Sequence, residues 1–219
     1  MTTTTLIIAR HGNTFRKGET PTRVGARTDL PLVEEHRGRS IGRYLKEKEL
    51  IPQTVFASPL KRAVKTAQLA MEEMNLNQEI ILLHEFTEID YGPDENKTED
   101  EVLLRLGNGD VEKGKEMIEA WNNQGIVPAG WQVDTEKIIE NWFQWAENRI
   151  DKSGKDSCSL MVTSNGIIRF APHLTGDFEH FIKNNDIKMP TGGIAIFEKR
   201  EDDRFWSCKV WNVKPYQMY

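Results

Sequence analysis

Two hydrophobic periods alternate along this chain. Short runs that are apolar at nearly every position recur at Leu6–Ala9, Thr54–Ala57, Glu79–Leu83 and Cys158–Thr163. Their length and β-branched content predict buried strands. Longer stretches between them carry apolar residues at helical spacing. Ile41, Tyr44 and Leu45 mark one face of a helix over about Glu34–Glu49, which Pro52 ends. Leu60, Ala63, Val64, Ala67, Leu69 and Ala70 mark the next helix, which runs to about Met74. Ser58 suits its N-cap and Pro59 its first position. Thr135–Ile150 presents Ile138, Ile139, Trp142, Phe143 and Trp145 on a broad apolar side, with Asp134 as N-cap.

Strand, helix, strand, helix, strand is the signature of a parallel sheet covered by helices. The expected fold is therefore α/β, three layers deep, with a mostly parallel central sheet. Residues 1–219 read as one domain. The stretch of about 91–130 is polar, glycine-rich and weakly helical, with short helices expected near Thr98–Arg105 and Val111–Asn122. It reads as a lid-like insertion over the strand ends that selects the substrate. After Thr163 comes the turn Ser164-Asn165-Gly166, then a helix from about Ile167 that Pro172 limits or kinks. Strands near Gly193–Glu198 and Phe205–Val213 close the chain, joined by a turn at Glu201-Asp202-Asp203.

Composition narrows the function. Net charge is -5 and no basic helix is interleaved with aromatics, which argues against nucleic acid. An anionic ligand would need a local basic patch. No apolar run reaches membrane-spanning length, and Met1 with its four threonines does not resemble a signal peptide. Cys158 and Cys208 lack metal or redox spacing and are expected as free strand thiols in a reducing, cytoplasmic setting. No metal or cofactor is implied.

The chemistry concentrates where the first apolar run ends, in Arg10-His11-Gly12-Asn13-Thr14. Strand ends of α/β sheets open into a crevice. Arg10 brings a planar donor fork suited to phosphate. His11 can act as nucleophile or proton carrier near neutral pH. Gly12 lets a ligand approach the backbone. The following loop carries Arg16, Lys17, Arg23 and Arg27, which can bind a second anionic group or simply be solvated. Trp142 and Trp145 belong to the core, and Trp131 beside Gly130 is the tryptophan expected to line a pocket.

Arg-His-Gly-x-Thr after an N-terminal strand resembles the signature of the histidine phosphatase superfamily, the phosphoglycerate-mutase-like proteins. Three further stretches resemble that family in order. They are Gly25-Ala26-Arg27-Thr28-Asp29-Leu30-Pro31-Leu32, then Ser58-Pro59-Leu60-Lys61-Arg62-Ala63, then Glu88-Ile89-Asp90-Tyr91-Gly92. The resemblance implies that His11 attacks phosphorus and carries the phosphoryl group as phosphohistidine. Arg10 and Arg62 would grip its oxygens. Glu88 would protonate the leaving oxygen, in preference to the rival acids Glu85 and Asp90. Asn13 and Thr14 would donate hydrogen bonds to phosphate or hold the turn.

One position departs from the pattern. Asn165 stands where the family usually has a second histidine, and an amide donates a hydrogen bond without carrying charge. His36 also stands where the family often has glycine. The resemblance implies metal-independent hydrolysis of a small phosphorylated metabolite. Two alternatives remain: a mutase-like phosphoryl transferase, or a phosphate-ester-binding or regulatory protein with little turnover. The partner expected is a small-molecule phosphate ester, with no nucleic acid and no membrane. Substrate identity and oligomeric state stay open.

Overall fold

A computed structural model describes residues 2–219. The parallel pattern becomes a six-stranded sheet. In chain order its elements begin with β1 (Thr3–Arg10), α1 (His36–Glu47), β2 (Thr54–Ala57), α2 (Lys61–Met74) and β3 (Ile80–Leu82). Helices α3 (Glu99–Leu106), α4 (Val111–Gln124) and α5 (Thr135–Glu147) follow. The chain then forms β4 (Ser157–Thr163), α6 (Asn165–Ile168), α7 (Phe178–Asn184), β5 (Ile194–Arg200) and β6 (Ser207–Val213).

The strand order is β3-β2-β4-β1-β5-β6. The four strands from β3 to β1 run parallel, and β5 and β6 add an antiparallel edge. Strand side chains alternate between the two faces. Ile7, Ala9, Val55, Ala57, Leu160 and Val162 pack with Ile41, Leu45, Ala63 and Ala67 of α1 and α2. Leu6, Ile8, Phe56 and Met161 face the other way, onto Trp142 and Trp145 of α5 and the residues of α3 and α4. Both faces are buried, which is why these strands read as nearly continuous apolar runs. Helices α1 and α2 lie unusually close: a Cβ on Gly42 would fall 2.3 Å from the Ala70 carbonyl oxygen.

Some expectations change. Helix α2 starts two residues after Pro59, with extended Leu60 as its N-cap, and Ser58 makes no capping bond. The Asp29 carboxylate accepts from the Lys61 N–H at 2.8 Å instead, so a distant loop satisfies that helix end. The helix expected from Ile167 is the single turn α6, followed by a 3-10 turn over Ala171–Thr175 that includes Pro172. Helix α7 gave no signal because seven residues are too few for a periodic pattern. In the middle segment α3 and α4 form as the pattern indicated. Thr98 and Glu101 cap α3 reciprocally, and Asp110 caps α4.

Candidate active site

The register pairs Arg10 at the end of β1 with Thr163 at the end of β4. The His11 N–H continues the ladder to the Thr163 carbonyl at 3.0 Å. The loop after β1 and the turn after β4 therefore leave the sheet side by side, at the carboxyl ends of parallel strands. A cavity of about 730 Å³ opens there. Arg10, His11, Asn13, Thr14, Glu88 and Asn165 all line it, from three separate segments of sequence.

His11 is the best-defined group. Its Nδ1 lies 2.7 Å from the Gly12 carbonyl oxygen, and its Nε2 lies 3.2 Å from Nε of Arg62. Arginine can only donate, so Nε2 must carry the lone pair and Nδ1 the proton. Burial, then the charges of Arg62 and Arg10, hold the ring well below the usual histidine range. The imidazole is thus neutral at physiological pH, with a fixed tautomer and an Nε2 electron pair that accepts from the Arg62 Nε–H.

Arg62 is fully buried and sits behind His11, outside the cavity surface. It also donates to the Thr28 carbonyl at 2.8 Å and to those of Val24 and Gly25. Arg10 reaches the cavity rim and is tied by Nη1 to the Met189 carbonyl at 2.5 Å. Asn13 donates to Glu34 at 2.5 Å and accepts from the Thr191 hydroxyl. Its amide thus holds the turn.

Glu88 is buried 3.4 Å from the Gly166 N–H and accepts from its neighbour Ile89 at 2.9 Å. Burial raises its pKa, against the pull of the Ile89 N–H, Arg62 and Arg10. That moves its titration toward neutrality, where acid–base work is efficient. A Cβ on Gly166 would meet Glu88 Oε1 at 2.3 Å, so the carboxyl lies where only glycine leaves room. Asp90 instead pairs with Arg27 at 2.9 Å, and Glu85 is exposed; neither lines the cavity.

Asn165 accepts from the Met189 N–H at 2.9 Å through Oδ1. That contact fixes the amide orientation and leaves the NH₂ group as its contribution to the cavity. His173 stacks on Phe178 at 3.9 Å and His180 is exposed, so neither replaces a histidine at position 165.

The outer wall held surprises. Trp121 of α4 lines the cavity, whereas Trp131 lies behind it, with ring centroids 5.3 Å apart. Trp131 Nε1 donates to buried Asp94 at 2.7 Å, which turns that ring into the core. Of the basic loop, Arg16, Lys17 and Arg23 line the cavity, while Arg27 is taken up by Asp90. Arg37, Arg169 and Lys188 add cationic lining, with Tyr91 beside them, that sequence reasoning missed. They are scattered over α1, a loop, the turn after α6 and the approach to β5, and share no local motif. The local basic patch that an anionic ligand needs is therefore present despite the acidic net charge.

Comparison with known proteins bears on the family and the fold. A model of the histidine phosphatase superfamily (branch 1) matches residues 6–214. The 2,3-bisphosphoglycerate-dependent phosphoglycerate mutase of Thermobifida fusca (strain YX) is 37% identical over 73 residues, 33% of this chain and 30% of that protein. The matched stretch thus spans less than a third of that relative's length. The structure of phosphoglycerate mutase from Bacillus anthracis str. Sterne is similar with a TM-score of 0.79 at 17% identity, over 98% of this chain and 95% of that one. A mycobacterial glucosyl-3-phosphoglycerate phosphatase is similar with a TM-score of 0.72 at 16% identity, over 96% and 99% of the two chains. At these identities the structural likeness speaks for the fold. The sequence match, which runs from the first strand to the end of the last, speaks for descent: the chain belongs to branch 1 of the histidine phosphatase superfamily.

Proposed function

We propose that this protein hydrolyses a small phosphomonoester through a phosphohistidine at His11. The observation that carries the reading is the state of that ring: buried, neutral, with Nδ1–H given to Gly12 and the Nε2 electron pair beside Arg62. A phosphoryl group arriving from the cavity meets a nucleophile that needs no deprotonation.

In the first step Nε2 bonds to phosphorus and the ester P–O bond breaks. Glu88, whose pKa burial raises, gives its proton to the departing alkoxide. The charge of Arg10, which reaches the cavity, and that of Arg62 behind the ring offset the charge on the non-bridging oxygens. In the second step the Glu88 carboxylate takes a proton from water as water attacks phosphorus. The P–N bond breaks, inorganic phosphate leaves, and Glu88 is protonated again. Hydrolysis is preferred to mutase chemistry because it needs only water, whereas a mutase must also retain and reposition its intermediate. The relatives named above include two mutases, one by sequence and one by structure, and a phosphatase by structure.

Asn165 favours a second reading, in which the cavity binds a phosphate ester and turns it over slowly. Loss of one transition-state donor costs on the order of 100- to 1000-fold in rate. Phosphate release from a panel of monoesters, with and without a chelator, separates the two. Turnover that His11→Ala abolishes supports hydrolysis. Tight ester binding with release no faster than His11→Ala supports the second reading, and neither binding nor release refutes both.

A further inference from the structure

One cation stands beside the position that departs from the family's pattern. Lys188 lies on the approach to β5 and lines the cavity. It is exposed, between Ile187 and Met189, which are fully buried and pin the segment. The backbone of Met189 holds two site residues at once. Its N–H donates to Asn165 Oδ1 at 2.9 Å, and its carbonyl accepts from Arg10 Nη1 at 2.5 Å. Two residues on, the Thr191 hydroxyl donates to Asn13. The Gly192 N–H then donates to the carbonyls of Arg10 and His11, both at 3.1 Å. On the other side of Lys188, Trp211 Nε1 donates to the Asp186 carbonyl at 2.8 Å. Lys188 therefore belongs to a short, well-anchored segment that crosses the strand ends next to His11.

This spacing brings the lysine within reach of the phosphoryl end. Ordinary backbone dimensions put the Met189 nitrogen about 2.4 Å from Lys188 Cα, so Asn165 Oδ1 lies within roughly 5 Å of that Cα. An extended lysine carries its ammonium about 6 Å from its own Cα. The nearest carboxylate along the chain, Asp186, accepts from the Lys188 backbone N–H at 2.8 Å and forms no ion pair with the ammonium. A phosphoryl group in transfer spreads negative charge over three equatorial oxygens. Arg10 and Arg62 bring two charges toward it, and Asn165 brings an amide with none.

We propose that the Lys188 ammonium swings onto the phosphoryl group beside Asn165 and supplies there the positive charge that the amide cannot. Lys188 is then a catalytic residue that works by contact with the non-bridging oxygens. It forms no covalent bond and keeps its proton, so the two steps written above balance as before. This deepens the function proposed above and rests on the phosphoryl group lying at His11. The competing account makes Lys188 a solvated charge on the rim. Such a charge acts weakly, is screened by salt and is indifferent to the residue at position 165.

Orthovanadate is the probe, because vanadium accepts a fifth ligand as phosphorus does in transfer and no ester need be known. Its equilibrium binding is compared in the full-length wild type, Lys188→Met, Asn165→His and the double variant. In the presence of Asn165, Lys188→Met should weaken binding roughly 10- to 100-fold, as for loss of a charge-assisted hydrogen bond. In the Asn165→His background the same substitution should cost about threefold or less, because the imidazole already serves those oxygens. Lys188→Arg should keep most of the wild-type affinity. Lys17→Met removes a charge elsewhere on the cavity wall and should have the same effect in both backgrounds. For any ester that the wild type hydrolyses, kcat should follow the pattern of vanadate affinity. No loss in Lys188→Met, or an equal loss in both backgrounds, overturns the role of Lys188 and leaves the proposed function standing. Should Asn165→His fail to fold, Lys188→Arg against Lys188→Met decides, since equal losses there also overturn it. Vanadate binding that is absent from the wild type, or that survives His11→Ala undiminished, overturns the proposed function together with this role.

Discussion

Replacing Gly166 by alanine tests how the acid is held. Gly166 lies in α6 with an ordinary backbone conformation, so alanine brings no φ strain there. The added methyl would sit 2.3 Å from Glu88 Oε1 and 2.9 Å from Ile89 Cγ1. Real contacts stay beyond about 3 Å, so the carboxyl must retreat by most of an ångström or the turn must open. Overpacking of this kind costs about 1–3 kcal/mol. For a protein of this size that lowers Tm by roughly 2–4 °C per kcal/mol. Because the clash is with one named side chain, Glu88→Ala should relieve it. The cost of Gly166→Ala in the Glu88→Ala background is expected to be smaller by about 1 kcal/mol or more, a coupling typical of residues in contact. Denaturant unfolding of the four proteins measures this without any substrate. Turnover of Gly166→Ala should also fall, on the order of 100-fold for a displacement near 1 Å. Equal costs in both backgrounds, or an unaffected Gly166→Ala, would refute the claim that the glycine exists to admit the carboxyl.

The remaining predictions concern the ring, the missing histidine and the outer wall. Below about pH 6.5 the unfolded chain binds a proton that buried His11 refuses, so stability should fall by about 1.4 kcal/mol per pH unit until the native ring titrates. Half-buried His173 adds to the same slope, while the raised pKa of Glu88 works in the opposite sense, with its stability lost as pH rises. His11→Gln should therefore flatten the acid-side fall between about pH 7 and 5, measured by urea unfolding at several pH values. In Asn165→His, Nδ1 can accept from the Met189 N–H as Oδ1 does now. The freed Nε2–H then faces the cavity, and turnover is expected to rise roughly tenfold or more; unchanged turnover would show that the amide already does this work. Asp94 accepts from both Arg105 of α3 and Trp131, which joins the middle helices to the core. Asp94→Asn should cost about 2–4 kcal/mol by denaturant unfolding, chiefly from the buried Trp131 side of the junction.

Much of the architecture could be read before the structure. The run Leu6–Ala9, the short helices near Thr98 and Val111, and the helix from Thr135 with its cap Asp134 rest on local rules, and each appears close to its expected place. Misreadings fell where a distant residue overrode a local one. Ser58-Pro59 looks like a helix start, but Asp29 satisfies the end of α2 from another loop. Trp131 beside a glycine looks like a pocket wall, but Asp94 draws its indole N–H inward and leaves that wall to Trp121.

The same division runs through the site. Periodicity alone determined the strand–helix alternation and so a parallel sheet, because side-chain burial repeats with the period of each element. The motif Arg10-His11-Gly12 marked the strand end where chemistry gathers, because residue type and position after a strand are both local. The tertiary structure alone decided which atom of His11 bears the lone pair, how far burial and the neighbouring arginines shift His11 and Glu88, and that Trp121 rather than Trp131 lines the cavity. Tautomer, pKa and charge balance depend on what lies within a few ångströms in space. For His11 those neighbours are 51 residues away at Arg62 and, across the β1–β4 ladder, at Thr163, distances along the chain that no local pattern records.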